Sequence, residues 1–168
     1  IRRKRQKRKR VNKTMYEKMK ETIASFEETI KSDKLRKLFE NCFYNTLDTT
    51  IEYLDDGSVY MLTGDIPAMW LRDSSASVLQ YIEFAKEDED VFNLIKGLIK
   101  RQFFYISIDP YANSFNRDPN GHGHTQDEGE RTPYTWERKF EIDSLCYPIW
   151  LIYKLYKVTG RKEILDSE

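Results

Sequence analysis

The sequence predicts an all-α chain built of helical hairpins, with a single short β-strand or hairpin near residues 58–63. Three observations carry that prediction. Apolar residues recur at spacings of three and four through most of the chain. Only one run, "SVYMLT" after the Asp56-Gly57 turn signal, is rich in strand formers. And a pattern of an aromatic residue, two others, Asp and Ser occurs at Trp70–Ser74 and again at Phe140–Ser144, with Asp73 and Asp143 70 residues apart. Each copy sits where a helix begins after a loop, and two helices separate them, so the spacing reads as a repeated helical hairpin.

Met15, Met19, Ile23, Phe26 and Ile30 mark a first amphipathic helix, and Leu35, Leu38, Phe39, Cys42 and Phe43 a second. The "SVYMLT" strand then runs into Gly64. Val78, Leu79, Ile82 and Ala85 share one face of the next helix. Val91, Leu94, Ile95, Leu98, Ile99 and Phe103 share a face of another, and the acidic "KEDED" between them suits a helix start. From Ile108 to Thr135 the chain holds three of its five prolines and three of its seven glycines, which argues against regular structure. A connection that long is where function tends to sit. Leu145, Ile149, Ile152, Leu155 and Tyr156 give another helix, stopped near Gly160, and "RKEIL" starts a further one.

Composition bounds the function. The 168 residues are 39% hydrophobic and 14% aromatic, enough for one sizeable core. Net charge is zero, but "RRKRQKRKR" at Arg2–Arg10 holds 8 of the 28 basic residues, leaving an acidic body. The segment 1–13 reads as a basic tail and 14–168 as the folded part. The run offers a phosphate tether, yet no aromatic residue interleaves with it and the acidic body repels a phosphate backbone, so no nucleic-acid partner is expected. No apolar core of a signal peptide follows the run, and no 18 consecutive apolar residues occur, so no membrane partner is expected. Cys42 and Cys146 lie in apolar helical patterns and read as two buried thiols rather than a disulfide. Together these features point to the cytoplasm. A chain opening on Ile1 rather than Met suggests a trimmed or partial sequence.

The chemistry concentrates in three strings. In "GDIPAMWLRDSSASV", Asp65, Trp70 and Arg72 accompany Asp73; in "WERKFEIDS", Trp136, Glu137, Arg138, Lys139 and Glu141 accompany Asp143. Each aspartate has a plain reading as a helix-capping carboxylate. The density of carboxylates, guanidinium forks and indoles also suits a polyol site. Planar charged groups hydrogen-bond vicinal hydroxyls, and a flat ring covers the apolar C–H face of a sugar. In "NGHGHTQDEGE", His122 and His124 with Asp127, Glu128 and Glu130 contain metal-ligand types, but His-x-His lacks a third ligand at a recognised offset. The favoured reading is a polar loop whose histidines bond substrate or solvent. Asn113 and Asn116 in "YANSFN" are either turn residues or hydroxyl partners. There is no GxSxG, phosphate loop, GxGxxG or CxxC, so serine-hydrolase, nucleotide and redox chemistries have no residues to stand on.

"TGDIPAMWLRDSS", "YANSFN" and "WERKFEIDSLCYPIWL", in that order, resemble glycoside hydrolase family 125, the metal-independent exo-α-1,6-mannosidases. The resemblance runs from Met15 to Gly160. It implies an (α/α)6 toroid of which this chain is the N-terminal part, inversion at the anomeric carbon, no metal or other cofactor, and a substrate ending in α-linked mannose, such as an N-glycan-derived oligosaccharide. The substrate-binding residues it implies are Asp65, Trp70, Arg72, Asp73, Asn113, His124, Glu128, Trp136, Glu137, Arg138 and Asp143. Six hairpins of such a repeat need about 420 residues, and this chain supplies little more than two. By the same resemblance the catalytic acid and base are expected beyond Glu168, so no residue here is expected to be catalytic. Two other functions are compatible with the residues: carbohydrate binding without catalysis, and nucleic-acid or anionic-surface binding through Arg2–Arg10.

Overall fold

The computed structural model describes residues 15–124 and 129–165. The basic run at Arg2–Arg10 and Glu128 lie outside them.

Helices α1 (Glu17–Glu27) and α2 (Asp33–Thr49) form the first hairpin. Ser32 opens α2 by accepting a hydrogen bond from the Leu35 N–H. The N-terminus of α1 is capped from a distance. Asp90 accepts from the Tyr16 N–H and Asp88 from the Met19 N–H, both at 3.0 Å. Asp88 also caps its own helix by accepting from Asp90 and Val91. One short acidic stretch thus satisfies orphan donors of two helices, and the reading of "KEDED" as a helix start holds.

Strands β1 (Ile51–Tyr53) and β2 (Val59–Met61) make an antiparallel hairpin across the Asp56-Gly57 turn, where Gly57 adopts a positive φ. β3 (Met69–Trp70) leads without a loop into α3 (Leu71–Val78), which continues as a 3-10 segment, Leu79–Lys86. α4 (Glu89–Ile108) returns, and β4 (Ser114–Phe115) and β5 (Thr135–Glu137) follow. α5 (Ile142–Thr159) ends at Gly160 in the left-handed conformation, and Lys162–Ile164 forms a 3-10 turn. α3 packs against α5, and α4 packs against α3, α5 and the 3-10 segment. Tyr81, Phe92, Leu94, Ile95, Leu98, Leu151 and Leu155, all fully buried, fill the space between them.

Several expectations are corrected. The Ile108–Thr135 stretch is not devoid of regular structure: β4 lies in it and pairs with β3 on one side and β5 on the other. Tyr105 of α4 holds this strand down, stacking on Phe115 at 4.5 Å and donating its hydroxyl to Asn116 O. Cys42 and Cys146 are exposed rather than buried. So are Leu35, Leu38, Phe103 and Ile149. Helical spacing shows that such residues share a face. It does not show that anything covers that face. Neither Asp73 nor Asp143 is an N-cap; Trp70 and Glu141 occupy those positions, and neither makes a side-chain cap. "RKEIL" contributes only the 3-10 turn within the described residues.

Gly97 marks a close approach between α4 and the β1–β2 hairpin. A Cβ there would stand 2.8 Å from Val59 Cγ2 and 3.1 Å from Gly57 O, so α4 lies on the β1–β2 hairpin with no room for a methyl group. Val59 is β-branched and stiff. Gly97→Ala should therefore destabilise the protein by about 1–3 kcal/mol in chemical denaturation, although alanine is the better helix former. A gain in stability would show that the hairpin is not seated on α4 in this way.

Candidate carbohydrate-binding site

The site begins with a tight loop. Gly64 takes a positive φ after β2, and Thr63 closes the loop: its hydroxyl donates to Ala68 O and accepts from the Trp70 N–H at 2.9 Å. That closure delivers Trp70 to the mouth of α3 and places Arg72 and Asp73 in the first helical turn. Thr63, Gly64, Asp65, Ile66, Trp70, Arg72 and Asp73 line an open cleft of about 230 Å³. Asp65 is exposed on its rim.

Arg72 joins the two Asp-Ser motifs. Its Nη1 donates to Asp143 Oδ2 at 2.7 Å, its Nη2 lies 3.6 Å from Asp73 Oδ2, and Nη1 is 3.9 Å from Glu141 Oε2. The hydrogen bond to Asp143 is the chief reason that Arg72 is pushed above even its ordinary high pKa, with Asp73 and Glu141 adding to it. Three carboxylates thus surround one guanidinium at the starts of α3 and α5, where the helix dipoles favour negative charge. Glu141, not among the substrate-binding residues the sequence implies, belongs to this cluster, and Lys139 Nζ lies 3.8 Å from it.

A second group adjoins the first through the β3–β4–β5 sheet. Trp70 pairs with Ser114, and Ser114 with Glu137. Leu71 donates its N–H to Asn113 O, and Asn113 its N–H to Glu137 O. Buried Asn113 donates its side-chain amide to Glu137 Oε2 at 2.6 Å, and His124 Nε2 lies 3.9 Å from Glu137 Oε1. His124 also donates its N–H to Trp136 O at 2.9 Å and sets its ring edge-on to the indole. Gly123 permits this approach, because a Cβ there would collide with Trp136 O.

Arg138 and Asn116 are held elsewhere. Arg138 Nε donates to Asp109 Oδ2 at 3.1 Å, and its guanidinium stands 5.5 Å from the Tyr111 ring centroid. Asp109 is buried and also accepts from the Tyr111 N–H. Asn116 donates to His122 O and Pro133 O, stapling the two ends of the polar loop. Asp109 and Thr63 escaped the sequence reading; each is a single polar residue whose partners are fixed only by the fold.

Five side-chain atoms in this region are buried without a protein partner: Asn113 Oδ1, Ser114 Oγ, Trp136 Nε1, Asp143 Oδ1 and Ser144 Oγ. Native proteins rarely leave such groups unpaired. The partly exposed carboxylates of Asp73, Glu137 and Asp143, beside the half-buried indoles of Trp70 and Trp136, are the complement of a polyhydroxylated ligand. Among the described residues, no group of three or more His, Cys, Asp or Glu is placed to hold a metal ion.

The profile of the metal-independent alpha-mannosidase (GH125) family matches residues 32–168. This chain belongs to that family. The Meiotically up-regulated gene 157 protein of Schizosaccharomyces pombe is 35% identical to it over 156 residues, 86% of this chain and 31% of that protein. A solved metal-independent alpha mannosidase of Streptococcus pneumoniae, in a non-productive complex with alpha-1,6-mannobiose, is 45% identical with a TM-score of 0.82. It aligns with 88% of this chain, which covers 35% of it. The chain therefore spans about a third of the length of either relative, and its helical hairpins correspond to part of an (α/α)6 fold.

The Asp109–Arg138 pair anchors β5, which carries Trp136 and Glu137. Asp109→Ala leaves a half-buried guanidinium without this carboxylate and should cost about 3 kcal/mol in urea denaturation. A loss below about 1 kcal/mol would place the pair with ordinary surface salt bridges.

Proposed function

We propose that this chain forms one wall of the substrate site of an inverting exo-α-1,6-mannosidase and binds the mannose at a non-reducing end. The observation that supports this reading is the Arg72 clamp: Arg72 lines an open cleft with Trp70 and Asp73 and holds Asp143 by a 2.7 Å hydrogen bond. The membership of the chain in a mannosidase family supports it too. So does the alpha-1,6-mannobiose in the Streptococcus pneumoniae complex.

In this reading Asp73, Asp143 and Glu137 accept hydrogen bonds from sugar hydroxyls, Arg72 and Asn113 donate or relay them, and Trp70 and Trp136 cover the C–H faces. Asp65 and His124 contribute from the rim, and Glu128, four residues after His124 in the sequence, is assigned to binding with them. Arg138 serves by holding β5 in place. An inverting glycosidase needs an acid and a base roughly 6.5–9.5 Å apart on either side of the bond that breaks. The carboxylates around Arg72 share one guanidinium on one side of the cleft, so we assign them to binding and the acid and base to chain outside these 168 residues.

Arg72→Met in the protein expressed from its complete gene should lower kcat/KM on alpha-1,6-mannobiose by roughly 10- to 100-fold, the worth of hydrogen bonds to a charged group. Unchanged kcat/KM would remove Arg72 and its two aspartates from the site. The 168-residue chain assayed alone should show no turnover of the same disaccharide. Turnover comparable to the complete protein would mean that a pair among Asp65, Asp73, Glu128, Glu137, Glu141 and Asp143 is catalytic.

A further inference from the structure

Gln102 lies in the middle of α4 and is fully buried. A side chain of this size in such a place is ordinarily aliphatic, because burying an amide costs free energy unless every polar atom is paired. Here one half is paired and the other is not: Oε1 has no protein partner. The paired half is specific. Nε2 lies 2.8 Å from Ser75 Oγ, 2.9 Å from Ser74 Oγ and 3.3 Å from Leu71 O. Both serine hydroxyls donate to the same Leu71 carbonyl, at 3.1 and 2.9 Å. Leu71 is the first residue of α3, and its N–H is held by Asn113 O. Its peptide groups are therefore fixed on both sides, by Asn113 just before β4 and by α4, and the next two residues are Arg72 and Asp73.

A helix turns through about 100° per residue. A small rotation or slide of the first turn of α3 is enough to carry the Arg72 guanidinium off the 2.7 Å bond to Asp143 and out of its place beside Trp70. Close packing of α3 resists such sliding, and a directional contact to one carbonyl adds a constraint on its rotation that packing does not specify. We propose that Gln102 is a positioning residue for mannoside binding: through the Leu71 carbonyl and the Ser74 and Ser75 hydroxyls it sets the rotation and height of α3, and so the reach of Arg72 and Asp73. The inference rests on the mannoside-binding reading given above.

Gln102→Met and Gln102→Glu, made in the protein expressed from its complete gene and assayed on alpha-1,6-mannobiose, test it. Methionine keeps the volume and removes the donor. With substrate binding loosened and the reacting groups untouched, KM should rise about tenfold while kcat changes by less than about threefold. A folded Gln102→Met protein with wild-type KM overturns the proposal, whatever its melting temperature does. Glutamate restores a donor only when protonated, and burial raises its pKa. The ratio of its KM to that of the wild type should therefore be large at alkaline pH, above that raised pKa, and fall toward one as the pH is lowered. A ratio near one throughout, or a raised ratio that ignores pH, overturns the proposal, and this variant decides the matter if Gln102→Met does not fold. Wild-type protein that neither binds nor cleaves the disaccharide removes the mannoside reading itself and this inference with it. A wild-type enzyme with an indifferent Gln102 removes the inference alone.

Discussion

The site depends on one ion pair between residues 71 positions apart, Arg72 and Asp143. Both helices that carry the Asp-Ser motif begin at the same place, and that arrangement brings three carboxylates, Asp73, Glu141 and Asp143, into one small region. Unpaired, they would repel one another. A single guanidinium, with a fork that meets two acceptors at once, resolves the repulsion. The Arg72 and Asp143 side chains are 40% and 37% exposed, so the pair adds little to folding stability, on the order of 1 kcal/mol or less. Its consequence is geometric. The packing of α3 on α5 supplies the stability, and the pair fixes where the carboxylates point.

The three-stranded sheet does the same work for the second half of the site. Strands of two and three residues would not persist in water as isolated pairs. They persist here because each is an extension of something larger. β3 runs directly into α3, β4 is pinned to α4 by the stacked Tyr105 and Phe115 rings, and β5 is anchored by the Asp109–Arg138 pair. Polar groups from four distant stretches of chain therefore reach one region through backbone hydrogen bonds rather than through flexible side chains. α4 contributes at two points, Gln102 toward α3 and Asp109 toward β5.

What could be read in advance follows from how local each signal is. The helices of the body were legible because their core residues repeat at helical spacing, and β2 because Asp-Gly and a run of strand formers are local signals, whereas its partner β1 carries no such signal. The Asp-Ser echo was legible because the two motifs share a pattern, and the structure brings both onto Arg72. β3, β4 and β5 were not legible: each is too short to show a period, and their partners lie tens of residues away. The exposure of Leu35, Leu38, Cys42 and Ile149 was not legible either, since a stripe of apolar residues looks the same whether or not another element covers it. Gln102 and Asp109 are single polar residues in or at the end of an apolar helix, and only their contacts distinguish them from solvent-facing ones.

The shape of the cleft bears on the division of labour in an inverting mannosidase. Sites that enclose a small ligand span roughly 300–1,000 Å³ and cover most of its surface. The cleft beside Arg72 is smaller and open, so the described residues present a wall to a sugar rather than an enclosure. Inversion requires a carboxylic acid on one face of the glycosidic bond and a carboxylate with its water on the other. A single wall whose carboxylates converge on a single cation meets the demands of binding, with many acceptors, a fixed donor and indole faces. It cannot flank the bond from both sides. On the proposed reading, the density of acidic residues in this stretch answers to the hydroxyl-rich surface of a mannoside, and the reacting pair is assigned to chain outside these residues.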